Sequence, residues 1–287
     1  MNENLTEKIV KKSGSSFASA MKLLPEERRN AMYAVYAFCR VIDDIADGED
    51  VYEVKIKNLD FWRKEIDAVF RQKPETELGK SLSGYVDIFK LDAKDFIAVI
   101  DGMAMDLPDG IKAPSDEDLE LYCSRVAGAV GLISIKIFGE DDDNARSFAL
   151  NLGEALQLTN IIRDVKEDAD MGRLYISKSI LNKAEIFSDN PLDVIKSPNL
   201  TEALSILCGK AEQKYQQAKA NLRKASFAKM YPAFIMMKVY EKVLQKTKKR
   251  GFQILEPKIK PNLVDLLLII METLLRRFLC RTKKPSI

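Results

Sequence analysis

Apolar side chains return every three or four positions along much of this 287-residue chain, and that spacing predicts helices. Met32, Val35, Tyr36, Cys39 and Ile42 form one such seam, in a segment opened by Pro25 and two glutamates, residue types favoured in a first helical turn. Leu156, Ile161, Ile162 and Val165 form a second. Weaker patterns predict a short helix from Glu7 to about Ser13–Ser16, an outer-layer helix within 51–80 that carries Trp62, helices over 201–224 and 232–249, and a last apolar helix over 263–280. Residues 139–145 have the composition of a turn leading into an N-cap, and 183–200, with Pro191 and Pro198, reads as loops and a short helix. Only 13 Gly and 10 Pro interrupt the chain, so the expected fold class is all-α, in one domain over 1–287.

Two of these helices carry acids where a helix gains nothing from them. In Gln157-Leu-Thr-Asn-Ile-Ile-Arg-Asp-Val-Lys-Glu-Asp168, Asn160, Asp164 and Asp168 fall one turn apart on one face, with Glu167 beside them. In Arg40-Val-Ile-Asp-Asp-Ile-Ala-Asp-Gly48, Asp43 and Asp47 share a face and Asp44 adjoins them, with Gly48 as the expected C-cap. Like charges one turn apart cost a few tenths of a kcal/mol, roughly, and three acids at the negative end of the helix dipole add to that. A solvated acidic face explains the first stretch about as well as a site does; it explains the second less well. Five carboxylates and an amide form the all-oxygen ligand set of a hard cation such as Mg²⁺, completed by the oxygens of a diphosphate.

Composition narrows the chemistry further. There is no histidine, which removes the commonest general base and the usual nucleophile triads. Cys39, Cys123, Cys208 and Cys280 show no CxxC spacing and read as reduced thiols, and the N-terminus has no apolar signal core, so a cytoplasmic protein is expected. A net charge of +2 gives no reason to expect a nucleic-acid partner. Ser13-Gly-Ser-Ser16 offers hydroxyls and backbone N–H groups to a phosphate, or serves as a plain interhelix turn.

The segments Tyr36-Ala-Phe-Cys-Arg-Val-Ile-Asp-Asp-Ile-Ala-Asp47 and Gln157–Asp168 resemble the two aspartate-rich motifs of the squalene/phytoene synthase family, in order and at family-like separation. The resemblance runs from about Ser13 to Tyr240. It implies an isoprenoid-synthase helical bundle with a central cavity, in which Mg²⁺ on Asp43, Asp44, Asp47, Asn160, Asp164 and Asp168 grips prenyl diphosphates. Ser16 and Phe17, followed by Leu23-Leu-Pro25, resemble the family's N-terminal diphosphate segment. Arg40 matches its arginine clamp, and Arg163, Arg173 and Tyr175 match further diphosphate positions. Tyr36, Gln157 and, less securely, Tyr240 join the substrate-binding set.

Tyr122-Cys-Ser-Arg-Val-Ala-Gly-Ala-Val-Gly131 is similar to the family's Tyr-Cys segment, which implies a catalytic Tyr122 and small residues that let a helix kink or pack closely. Taken alone, Tyr122 and Tyr175 read as core tyrosines. Asp101-Gly-Met-Ala-Met-Asp-Leu107 is similar to a stretch of bacterial members; Met103 reads as a cavity liner or core filler, and Asp106 as a secondary metal or hydrogen-bond candidate.

The branch most like this chain condenses two farnesyl diphosphates to presqualene diphosphate, without a nicotinamide, ahead of squalene and hopanoid synthesis. The alternatives are phytoene, dehydrosqualene or complete squalene synthesis, and a non-catalytic helical assembly factor. Partner enzymes of the squalene and hopanoid route are implied as well. The apolar tail reads either as a helix closing the bundle or as a peripheral contact with the inner face of the membrane, aided by Arg276, Arg277, Lys283 and Lys284.

Overall fold

The computed structural model describes residues 5–13, 21–107, 109–253 and 259–282, and thirteen α-helices dominate it. Helix α1 (Leu5–Ser13) lies against α2 (Glu26–Asp47). The apolar seam of α2 faces inward, with Phe38 edge-on to Trp62 of α3 (Tyr52–Phe70) and to Phe96 of α5 (Ala93–Ala104), at 5.8 and 5.3 Å between centroids. Trp62 is therefore interior, contrary to the outer-layer expectation: an indole has too much apolar area to leave in water when a phenyl edge is available. The segment expected as one helix is two, α3 and α4 (Glu77–Val86), parted at Pro74. The buried Glu65 secures that break by accepting the N–H groups of Glu75 and Thr76, at 3.1 and 2.9 Å.

Helix α6 (Asp116–Cys123), a π-helical stretch (Ser124–Gly128) and α7 (Ala129–Phe138) follow as one rod. The rod is long and apolar enough to cross a membrane by composition, yet over half of it is buried among the other helices. The 28-residue α8 (Asp143–Asp170) crosses it at backbone contact. A Cβ on Gly153 would sit 2.7 Å from the Gly128 nitrogen, and one on Gly131 would sit 2.9 Å from the Ala149 carbonyl. The small residues of the Tyr-Cys segment thus allow close packing, and the helix widens there into a π-helical stretch. Asp142 caps α8 by accepting the Ala145 N–H at 2.7 Å, as the turn composition predicted.

Beyond α8 come the short α9 (Lys178–Lys183) and α10 (Pro191–Val194), then α11 (Leu200–Leu222), which lies along α8, α12 (Phe227–Lys249) and α13 (Leu263–Thr282), which packs on α12. Helix α12 starts five residues earlier than the proline suggested: Pro232 sits inside it, near enough to the N-terminus that few backbone bonds are lost. Gly48 does close α2, donating to the Asp44 carbonyl at 3.0 Å, but in an extended conformation rather than the left-handed one expected of a C-cap glycine. Among the described residues there is no strand. A parallel bridge between Lys112 and Leu174 ties the loop after α5 to the loop after α8. The all-α expectation holds.

Candidate active site

Both acidic stretches lie at the C-terminal ends of long helices, and the loop after α8 joins them. That loop is fixed by the Lys112–Leu174 bridge, with Leu174 N–H donating to Ile111 at 2.6 Å and Ala113 N–H to Leu174 at 2.9 Å. So fixed, it carries Arg173 to the end of α2, where its guanidinium pairs with Asp47 at 2.6 Å across 126 residues of sequence. The same cation lowers the proton affinity of Asp43, Asp106 and Asp168, so all four carboxylates lie within its field. Helices α2 and α8 thus contribute acids to a single site.

The carboxylates are under-neutralised. Burial first, and then the neighbouring Asp47, push Asp43 up to about 6, against the opposing pull of Arg40. Burial and then Asp164 push Asp168 further, to about 8, although Arg173 opposes both. Arg40 bridges Asp43 at 2.7 Å and Asp44 at 2.6 Å on its own helix. Arg163 grips its neighbour Asp164 with two bonds of 2.9 and 2.5 Å, and also hydrogen-bonds Tyr240. Tyr36 lies close enough to Tyr240 to influence it electrostatically. Asp44 and Glu167 stand on the exposed sides of their helices.

Beneath Arg173 lies a buried triad of oxygens. The Tyr175 hydroxyl donates to Asp106 at 2.7 Å and the Tyr122 hydroxyl to its other oxygen at 3.3 Å, while the two rings stack at 4.8 Å. Burial raises all three pKa values, so both phenols stay protonated. Asp106 is thereby a hydrogen-bond anchor. Sequence reasoning ranked it low because nothing in its own segment reveals that two tyrosines 16 and 69 residues away converge on it.

Going back along α8 from Asp164, the polar face gives way to an apolar cavity of about 240 Å³. Gln157, Asn160 and Tyr240 supply polar lining, and Leu24, Met32, Val126, Leu152 and Met236 are among the apolar walls. Met103 does not border it and packs against the core instead. Ser16 and Phe17, assigned to the diphosphate, lie outside the described residues.

The donor set fits a hard cation. Among the described residues Asn160 Oδ1 is buried without a hydrogen-bond partner, and Asp168 above it holds its proton more tightly than a free carboxylate does. Among the described residues no three acidic groups converge on one point, because arginines occupy their oxygens. A guanidinium holding a carboxylate can exchange it for a phosphate once a metal arrives.

A model of squalene/phytoene synthases matches residues 10–265. The chain belongs to the squalene/phytoene synthase family. Among similar members of the family is the presqualene diphosphate synthase of Zymomonas mobilis, 41% identical over 257 residues, which cover 88% of this chain and 87% of that one. The 15-cis-phytoene synthase of Synechococcus elongatus is 28% identical over 258 residues, covering 86% and 83%. The crystal structure of a dehydrosqualene synthase in complex with a ligand superposes with a TM-score of 0.83 at 27% identity, covering 94% of each chain.

Proposed function

We propose that this chain, acting as one catalytic domain in the cytoplasm, condenses two farnesyl diphosphates head to head (1′-1) into presqualene diphosphate. The observation that carries the reading is the convergence of both acidic stretches on Arg173, at the polar end of an apolar cavity. The similarity to presqualene diphosphate synthases, at 41% against 28% for a phytoene synthase, supports the product. Such a product feeds squalene and hopanoid synthesis, and enzymes of that route are the expected partners. No nicotinamide is needed for this half of the chemistry.

Asp43, Asp47, Asn160, Asp164 and Asp168 would hold Mg²⁺, with Asp44 at the outer edge. When bound, the metal neutralises the charge that develops on the departing diphosphate. Arg40, Arg163 and Arg173 are placed to take phosphate oxygens as the carboxylates release them, with Gln157, Tyr36 and Tyr240 around the same end of the cavity. The apolar walls keep water from the allylic cation until the double bond of the second substrate attacks it. Ring closure then releases a proton. Tyr122 and Tyr175 already carry their protons and donate them to Asp106, so they orient the reacting groups, and the departing diphosphate is the base at hand.

Incubation with farnesyl diphosphate and Mg²⁺, with and without NADPH, tests this by mass analysis of the products. Presqualene diphosphate in both tubes is the expected result. Squalene only with NADPH would make the chain a complete squalene synthase, and dehydrosqualene without NADPH would move it to the carotenoid branch. Turnover of geranylgeranyl diphosphate alone would indicate phytoene synthesis. No turnover of either substrate would favour a non-catalytic role.

A further inference from the structure

Helix α13 is amphipathic in the inverted sense. Asp265, Glu272, Arg276 and Arg277 all point toward α12: Asp265 pairs with Lys246 and, at 3.4 Å, with Lys242, and Glu272 pairs with Lys238 at 3.3 Å. The guanidinium of Arg276 lies 5.0 Å from the Phe234 ring, and that of Arg277 lies 4.0 Å from the Tyr231 ring. These two arginines are thus bound to aromatic rings of α12 and are not on the outward face, where a membrane-touching tail would have placed them. The opposite arc holds Leu263, Val264, Leu267, Leu268, Ile270, Met271, Leu274, Leu275 and Phe278, between 37% and 78% exposed. At 100° per residue they span under half of the helix circumference, and from Leu263 to Phe278 no charged or polar residue falls within that arc. So continuous an apolar patch on a protein surface marks a contact.

The charge around it selects the partner. Residues 238–287 hold thirteen Lys and Arg against four Asp and Glu, although the whole chain is only +2. In the sequence the surplus lies toward both ends of α13: Lys248, Lys249 and Arg250 close α12 beside its start, and Arg281 falls in its last turn with Lys283 and Lys284 after it. A cavity of about 440 Å³ between α11, α12 and α13 adds Arg223, which has no acidic partner among the described residues, over a floor of Phe227 and Met237. Two copies meeting through this face would oppose two strongly basic regions. An anionic surface would be drawn to them.

We propose that the outer face of α13 docks onto an anionic lipid bilayer, the helix lying in the plane of the interface with the basic end of α12 on the headgroups. The four charges on its inner face argue against a spanning segment. Docking would leave α12 between lipid and cavity, since Pro232, Ala233, Met236 and Tyr240 on its other side line that cavity. The proposal is independent of the reaction assigned to the site.

Co-sedimentation of the full chain with vesicles of equal phosphatidylglycerol and phosphatidylcholine tests it, against pure phosphatidylcholine. Wild type should pellet with the anionic vesicles, bind the neutral ones at least about tenfold less, and be released by salt. A triple variant, Leu267→Glu, Met271→Glu and Leu274→Glu, alters exposed positions only; it should keep its circular dichroism and lose at least about tenfold in vesicle binding. Equal pelleting of the variant, or no pelleting of wild type, overturns the proposal. So does a wild-type dimer in sedimentation equilibrium that ignores vesicles and becomes monomeric in the variant.

Discussion

The two acidic stretches are built from the same side chains and differ in what neutralises them. At the end of α2 each carboxylate meets a guanidinium: Arg40 takes Asp43 and Asp44 from within the helix, and Arg173 takes Asp47 from a distant loop. On α8 Arg163 holds Asp164, while among the described residues no cation pairs with Asp168 and Asn160 Oδ1 is without a partner. The α2 stretch is thus the better compensated and the more exposed, although Asp43 is still pushed up to about 6, while the α8 stretch is shorter of positive charge and Asp168 is pushed further, to about 8. A site that must accept a cation needs that shortage somewhere, and α8 supplies it.

The sharpest way to break the comparison is to remove one acid from each side. Asp164→Asn and Asp43→Asn should each lower turnover of farnesyl diphosphate by more than about a hundredfold, beyond the loss typical of groups that merely support metal ligands. Circular dichroism should remain that of wild type, since both positions are only partly buried and neither fills the core. Wild-type rates in either variant would remove that residue from the site.

How far this arrangement was legible depends on the range of the interaction. Asn160, Asp164 and Asp168 are one turn apart on one helix, so their common face follows from helical geometry alone, and the same holds for Asp43 and Asp47. The Arg173–Asp47 pair was not legible, because a loop pinned by one bridge at Lys112 and Leu174 decides it. Trp62 was misplaced because the mixed charge of α3 masks a buried stripe of Leu59, Ile66 and Val69. The orientation of α13 was hidden for the opposite reason. Its apolar arc reads as a core face, and only the lysines and rings of α12 show that its polar side turns inward.

Two milder substitutions sharpen the difference between the stretches. Arg173→Gln removes the one cation that both share, and should cost about ten- to a hundredfold in kcat. It should also move the acid limb of the pH–rate profile upward, because the charge that holds Asp43 and Asp168 down is gone. An unchanged limb would mean that Arg173 binds Asp47 only. Asp106→Asn keeps an acceptor for one phenol and loses the charge. A hydrogen bond to a charged group is worth about 1.5–3 kcal/mol, part of which the amide restores, so a fall of about tenfold in kcat is expected, with KM little changed.

The smallest effect concerns stability and needs no substrate. Asp43 and Asp168 bind protons up to about 6 and about 8 in the folded chain, against about 3.9 for an unfolded aspartate. Between those limits the native state holds more protons than the unfolded one, so their contribution is full below about pH 4 and is lost as pH rises through 6 and then 8. The urea midpoint of the metal-free protein should therefore fall from pH 5.5 to 8.5. Asp43→Asn should flatten the lower part of that decline and Asp168→Asn the upper part. Mg²⁺ with inorganic pyrophosphate should raise the midpoint most at the alkaline end, where the acids have already given up their protons and the cation need not displace them. A midpoint flat in pH without metal would mean that α8 is as well compensated as α2, and the distinction between the two stretches would fall.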